Sequence, residues 1–147
     1  MIICDTREKK NSHILDYFDK NGIGYVIQKL DTGDYMDTDR PGVTVDRKQN
    51  LDELCQNLCT KDNSRFWREV RRSKNEGIKL VVLIEQGDIK RLPEVRFWKS
   101  EYHSQVSGRR LYNEACRCHI AYGVEFLFCD KAETGKRIIE ILGGDWE

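Results

Sequence analysis

Two short segments hold the residue types that bind divalent cations and handle phosphate. One is Gly33-Asp34; the other is Asp46-Arg47-Lys48, twelve residues beyond Asp34 at the end of Val43-Thr44-Val45. The β-branched content of 43–48 predicts a strand. Side chains alternate along a strand, so Val43, Val45 and Arg47 point one way and Thr44, Asp46 and Lys48 the other. Asp46 and Lys48 therefore share a face. Pairing of an extended 30–36 segment with 43–48 as a hairpin brings Asp34 near Asp46, so that two carboxylates and an ammonium converge. Magnesium takes oxygen ligands, usually one or two carboxylates with water completing the octahedron. A metal held there activates water and neutralises charge on a phosphoryl group, and an adjacent lysine stabilises the same charge. The pattern suits phosphodiester hydrolysis. A surface hairpin with an ordinary ion pair has the same composition, so these residues alone leave both readings open.

The elements that must position this cluster are legible in outline. Ile2-Ile3-Cys4 reads as a buried strand, with the charged run Asp5-Thr6-Arg7-Glu8 at its end. Asn11 or Ser12 starts a helix carrying Ile14, Leu15 and Phe18, which stops near Asn21-Gly22. Tyr25 to Leu30 is strand-like, Gly33 to Met36 is extended, and Arg40-Pro41-Gly42 is a turn signal. Asn50, with Glu53 three residues on, opens a helix with a Leu51, Leu54, Leu58 stripe. A second helix runs from about Ser64 to Asn75. Lys79 to Glu85 is the strongest strand. Residues 86–107 hold Pro93 and two adjacent aromatics, Phe97 and Trp98, with little periodicity. A helix over 109–122, a strand over 124–129 and a helix over 133–142 complete the chain. This alternation predicts an α/β domain with a central mixed sheet, and residues 1–147 read as a single domain.

Composition narrows the functional classes. The 147 residues are 39% hydrophobic and 34% charged, which excludes a membrane protein and argues against a disordered one. The longest apolar run, Leu80 to Ile84, is far short of a bilayer span. Lys plus Arg and Asp plus Glu both number 25, which excludes a strongly basic whole-protein affinity for nucleic acid but not a local basic patch. No secretory leader is recognisable, and the six cysteines are expected to be reduced thiols in the cytoplasm.

Gly33-Asp34 followed by Asp46-Arg47-Lys48-Gln49-Asn50-Leu51-Asp52 resembles the GD…ERKxxxD signature of the XPF-type structure-specific endonucleases. These belong to the PD-(D/E)XK nuclease superfamily. Asp5-Thr6-Arg7-Glu8 is similar to the family's DxRE element, and the downstream order of basic helix, strand and helix–strand–helix also matches. The resemblance implies a restriction-endonuclease-like three-layer fold, with a central mixed β-sheet flanked by helices. It implies a Mg²⁺-dependent endodeoxyribonuclease, with Mn²⁺ substituting, that cuts branched, flap or fork DNA in repair or recombination. Asp34 and Asp46 become metal ligands, joined by the Arg47 carbonyl and by Asp5. Lys48 becomes the catalytic lysine, Asp5, Arg7 and Glu8 line the site, and Asp52 supports it. It also implies a homodimer, with the 109–122 helix as candidate interface, and a helicase or helix-hairpin-helix protein as a further partner. Two departures stand out. Asp46 replaces the signature Glu, and no helix-hairpin-helix or helicase region is recognisable. A catalytically silent DNA-binding scaffold and a Holliday-junction resolvase or nickase remain as alternatives.

The DNA path is expected on the run from Arg65 to Lys74, which carries five positive charges and one negative. Arg65, Arg68 and Arg72 fall on one helical face, opposite Phe66 and Val70, and suit phosphate contacts. Arg109 and Arg110 are a second candidate. Phe97 and Trp98 suit base stacking, a partner surface or loop packing. The Cys55/Cys59 and Cys116/Cys118 pairs lack standard zinc spacing and read as core thiols.

Overall fold

The computed structural model describes residues 1–60, 64–103 and 105–146. Its centre is the strand Lys79–Glu85 (β5), whose residues from Leu80 onward are all buried. A continuous apolar run is what a strand covered on both faces requires. Leu80, Val82 and Ile84 face one helical layer, and Val81 and Leu83 face the other. The first layer holds the helices Leu51–Cys59 (α2), Ser64–Asn75 (α3) and Gly108–Tyr122 (α4). The second holds Ser12–Lys20 (α1) and Thr134–Leu142 (α5).

The other strands are Ile2–Cys4 (β1), Tyr25–Ile27 (β2), Tyr35–Asp37 (β3), Arg40–Lys48 (β4) and Glu125–Cys129 (β6). They form one six-stranded mixed sheet in the order β2-β1-β3-β4-β5-β6. β3 pairs antiparallel with β1 and β4, and the remaining pairs are parallel. This is the three-layer architecture implied by the resemblance. All six cysteines are unpaired, and among the described residues no helix is long and apolar enough to cross a membrane.

Local chemistry sets several boundaries. The Asn50 side chain accepts from the Glu53 N–H at 2.9 Å, while Glu53 reaches back to the Gln49 N–H at 2.9 Å, one residue beyond the usual capping box. Ser107 caps α4 through the Arg110 N–H at 3.1 Å. Three expectations change. The hairpin turn falls at Thr38-Asp39, and Arg40-Pro41-Gly42 belongs to β4. The register slips between Met36 and Asp37, so Pro41 sits in an irregular stretch where it owes no N–H to the ladder. The β2 strand ends at Ile27 because the Asp5 side chain, at 2.8 Å, takes the Leu30 N–H. The segment 86–107 contains a short 3-10 helix, Leu92–Phe97, lying on α4. A side chain at Gly108 would come within 2.4 Å of the Val95 and Trp98 carbonyls, so these backbones touch.

Arg47 locks the sheet to the α1/α5 layer. Its guanidinium donates to Glu8 at 2.7 Å, to Glu85 at 2.7 Å and to the Lys9 carbonyl. Glu8 also accepts from the Tyr35 hydroxyl at 3.0 Å, and Glu85 contacts His13 at 2.6 Å and the Thr134 hydroxyl. Burial pushes the Glu85 carboxyl up, but the Thr134, His13 and Arg47 hydrogen bonds outweigh it and hold the group below its usual range. Removing one partner of a buried pair strands the other charge. Glu85→Ala is expected to lower the unfolding free energy by about 3–5 kcal/mol, read from urea denaturation. A loss within experimental error would show that Arg47 is satisfied without Glu85.

Candidate active site

Asp34 enters the site through its backbone. Its N–H donates to the Val45 carbonyl at 2.7 Å, and its own carbonyl accepts from the Asp5 N–H at 2.8 Å. Its carboxylate accepts the Arg47 N–H at 2.8 Å, which hooks it onto β4 beside Asp46. The alternation along β4 sends Asp46 and Lys48 together toward α3, where the Lys48 ammonium is 3.1 Å from Asp46 and 5.1 Å above the Phe66 ring centre. Asp46 and Lys48 are both buried.

The electrostatics are strained by an excess of acid. Burial, then the charges of Asp46 and Glu8, push the Asp34 carboxyl well above its usual range despite Lys48 and the Arg47 N–H. Burial works against the Lys48 ammonium, but Asp46 and Asp34 overcome it and raise its pKa. A further acid, Glu69 on α3, accepts the Gly33 N–H at 2.8 Å. Burial and Asp46 push its carboxyl up to about 7.

The remaining expected residues divide. Arg7 lies at the rim, its guanidinium bound to Asp5 at 2.8 Å and to the Leu30 carbonyl at 2.9 Å. Both Asp5 oxygens accept hydrogen bonds, one from the Leu30 N–H and one from the Arg7 N–H and guanidinium. The side chains of Arg47 and Glu8 meet on the opposite face of β4. Asp52 accepts from the Ser100 hydroxyl, which in turn accepts the His103 N–H at 2.8 Å. It therefore supports the segment after Trp98. Arg65, Arg68, Arg72, Arg109 and Arg110 are exposed. Arg72 also donates to the Asp31 carbonyl, and Arg110 to the Cys59 carbonyl at 3.2 Å. Of the two aromatics, Phe97 is 80% exposed and Trp98 packs against the core.

The ERCC4 domain family model matches residues 4–142. This chain belongs to the ERCC4 domain family. Its fold is similar to XPF from Aeropyrum pernix, with a TM-score of 0.71 and 18% identity over 96% of this chain and 62% of that one. A second structure of XPF from Aeropyrum pernix, a complex with DNA, gives a TM-score of 0.67 and 18% identity over 97% of this chain and 62% of that one. The ERCC4 domain here thus spans about three fifths of those chains' length. No curated protein sequence matches it.

The ERCC4 site suits a hard divalent cation by its donor chemistry. Asp34 and Asp46 offer carboxylates, and the Arg47 carbonyl lies between Asp46 and Lys48. One ammonium does not balance two close carboxylates, and a divalent cation supplies the missing charge. Among the described residues no three His, Cys, Asp or Glu side chains group to hold an ion by themselves, so an ion held here would need backbone and water ligands beside these two carboxylates.

Glu69 was missing from the sequence reading. Its trace is the α3 stripe Phe66, Glu69, Val70, Ser73, where the sole acid of a basic run occupies an inward position.

A carboxyl with a folded pKa above its unfolded value holds its proton more tightly when folded, so its ionisation costs stability at higher pH. Asp34→Asn removes that charge and keeps an acceptor for the Arg47 N–H. In the presence of a chelator at neutral pH, Asp34→Asn is expected to melt above wild type, the gap narrowing as pH falls toward about 4. A lower melting temperature would mean that the acid repulsion is compensated elsewhere.

Proposed function

We propose that this ERCC4 domain is a metal-dependent DNA endonuclease acting at branched or single/double-strand junction DNA. The observation that carries the reading is the convergence of Asp34, Asp46 and Lys48 on one face, beneath a helix whose exposed residues include Arg65, Arg68 and Arg72. Asp34 and Asp46, with the Arg47 carbonyl, would hold Mg²⁺ or Mn²⁺. That ion, when bound, lowers the pKa of water and neutralises phosphoryl charge.

The chain's own groups supply the rest. Lys48, paired with Asp46 at 3.1 Å, is placed to act as a donor and electrostatic stabiliser. The Lys48 ammonium sits over the Phe66 ring and beside Asp46, which together set its position. Arg7, half exposed at the rim, meets a phosphate beside the scissile one. The exposed α3 arginines follow the backbone without reading sequence. Phe97, and Tyr102 at 76% exposure, line a cleft beside Asp52 and suit stacking on unpaired bases. The helix α4, which exposes Ile120, would be the face for a second copy. A helicase or helix-hairpin-helix partner would add junction selection in repair or recombination.

A panel of labelled duplex, splayed-arm, flap, fork and four-way junction DNAs, with and without Mg²⁺ or Mn²⁺, tests the proposal. Metal-dependent cutting of at least one branched substrate is expected, and no cutting of any would sink it. Asp34→Ala and Lys48→Ala should each abolish cutting while the fold and DNA binding persist; full activity in either would remove that residue from the chemistry. Arg65→Ala with Arg68→Ala should reduce the slope of log K against log salt by about two. An unchanged slope would take α3 out of the DNA path.

A further inference from the structure

The loop that presents Asp34 is held by a helix as well as by the sheet. Gly33 has φ +76°, and a Cβ there would lie 2.7 Å from the Thr44 Cβ, so the loop presses directly on β4. Toward the sheet it makes the Asp34 N–H bond to Val45 at 2.7 Å and accepts the Arg47 N–H at 2.8 Å. The buried hydroxyls of Thr32 and Thr44 find no partner among the described residues. The Gly33 N–H is taken instead by Glu69 at 2.8 Å, and the Asp31 carbonyl by Arg72. Glu69 and Arg72 are three residues apart and so lie on one side of α3. That side accepts from one end of the 31–33 turn and donates to the other.

We propose that Glu69 is a positioning residue: by accepting the Gly33 N–H it fixes the loop to α3 and sets the Asp34 carboxylate where a divalent cation is taken up. The inference rests on the metal-dependent reading above. What the position supplies is a hydrogen-bond acceptor rather than a negative charge. A second charge beside Asp46 is costly in a buried site, whereas an unpaired loop N–H is costly in a different way that only an acceptor relieves. Gln reaches as far as Glu with a neutral acceptor; Ala and Met offer none. Partners of this kind, which orient metal ligands, typically change metal affinity by about 10–100-fold when removed.

The test uses the whole chain without DNA. Mn²⁺ binding is followed by the loss of the free-ion electron paramagnetic resonance signal, and Gly33 amide exchange by NMR. Glu69→Ala and Glu69→Met are expected to weaken Mn²⁺ binding by about tenfold and to speed Gly33 exchange. Glu69→Gln is expected to stay within about threefold of wild type and to retain the protection. If Glu69→Ala does not fold, Glu69→Met, which keeps the side-chain volume, decides. Wild-type affinity in Glu69→Met would overturn the proposal, as would a Glu69→Gln as weak as Glu69→Met, because the charge would then be what matters. Absence of Mn²⁺ uptake by wild type would instead remove the metal reading itself, and this inference with it.

Discussion

The alternation of side chains along β4 divides three successive residues between two jobs. Asp46 and Lys48 face α3, where charge is available for chemistry. Arg47 faces the other layer, where Glu8 and Glu85 hold its guanidinium. Neither job is possible without the other. The pair facing α3 keeps its place because the residue between them is bolted to β5, to α1 through His13 and to α5 through Thr134. The peptide N–H of Arg47 then fixes Asp34 from the same strand. A single residue thus serves as a buried anchor through its side chain and as a locator through its backbone.

This arrangement places stability and chemistry in opposition over a few ångströms. On one side of β4 both carboxylates, Glu8 and Glu85, are bonded directly to the Arg47 guanidinium at 2.7 Å. On the other side acids outnumber the single ammonium, and burial makes the imbalance worse. The carboxyls of Asp34 and Glu69 are pushed up as a result. The hydrogen-bonded Arg47 side anchors the strand on which the other cluster stands.

Much of this was legible in the chain, for a definable reason. The shared face of Asp46 and Lys48 follows from the period of a strand, a local rule that needs no tertiary knowledge. The hairpin partner of β4 followed from the extended character of the Gly33 segment. Other features depended on distant groups. Glu69 is an ordinary surface acid until α3 docks and turns its inward stripe toward Gly33. Asp52 stands in a first helical turn where any acid is at home, and its true neighbour, Ser100, lies in a segment without periodicity. Pro41-Gly42 has the composition of a turn, yet the register slip beside Asp37 absorbs it into the strand. Tertiary docking overrode local preference at each of these positions.

The contact at Gly108 bears on how the aromatic cleft behaves mechanically. With the backbones of the 3-10 turn and the start of α4 in direct touch, and Lys99 bridged to Ser107, the excursion bearing Tyr102 is closed at its base. Phe97 ends the 3-10 turn whose backbone rests directly on the start of α4. A group resting on that ring therefore bears on the same turn that abuts the first residue of α4.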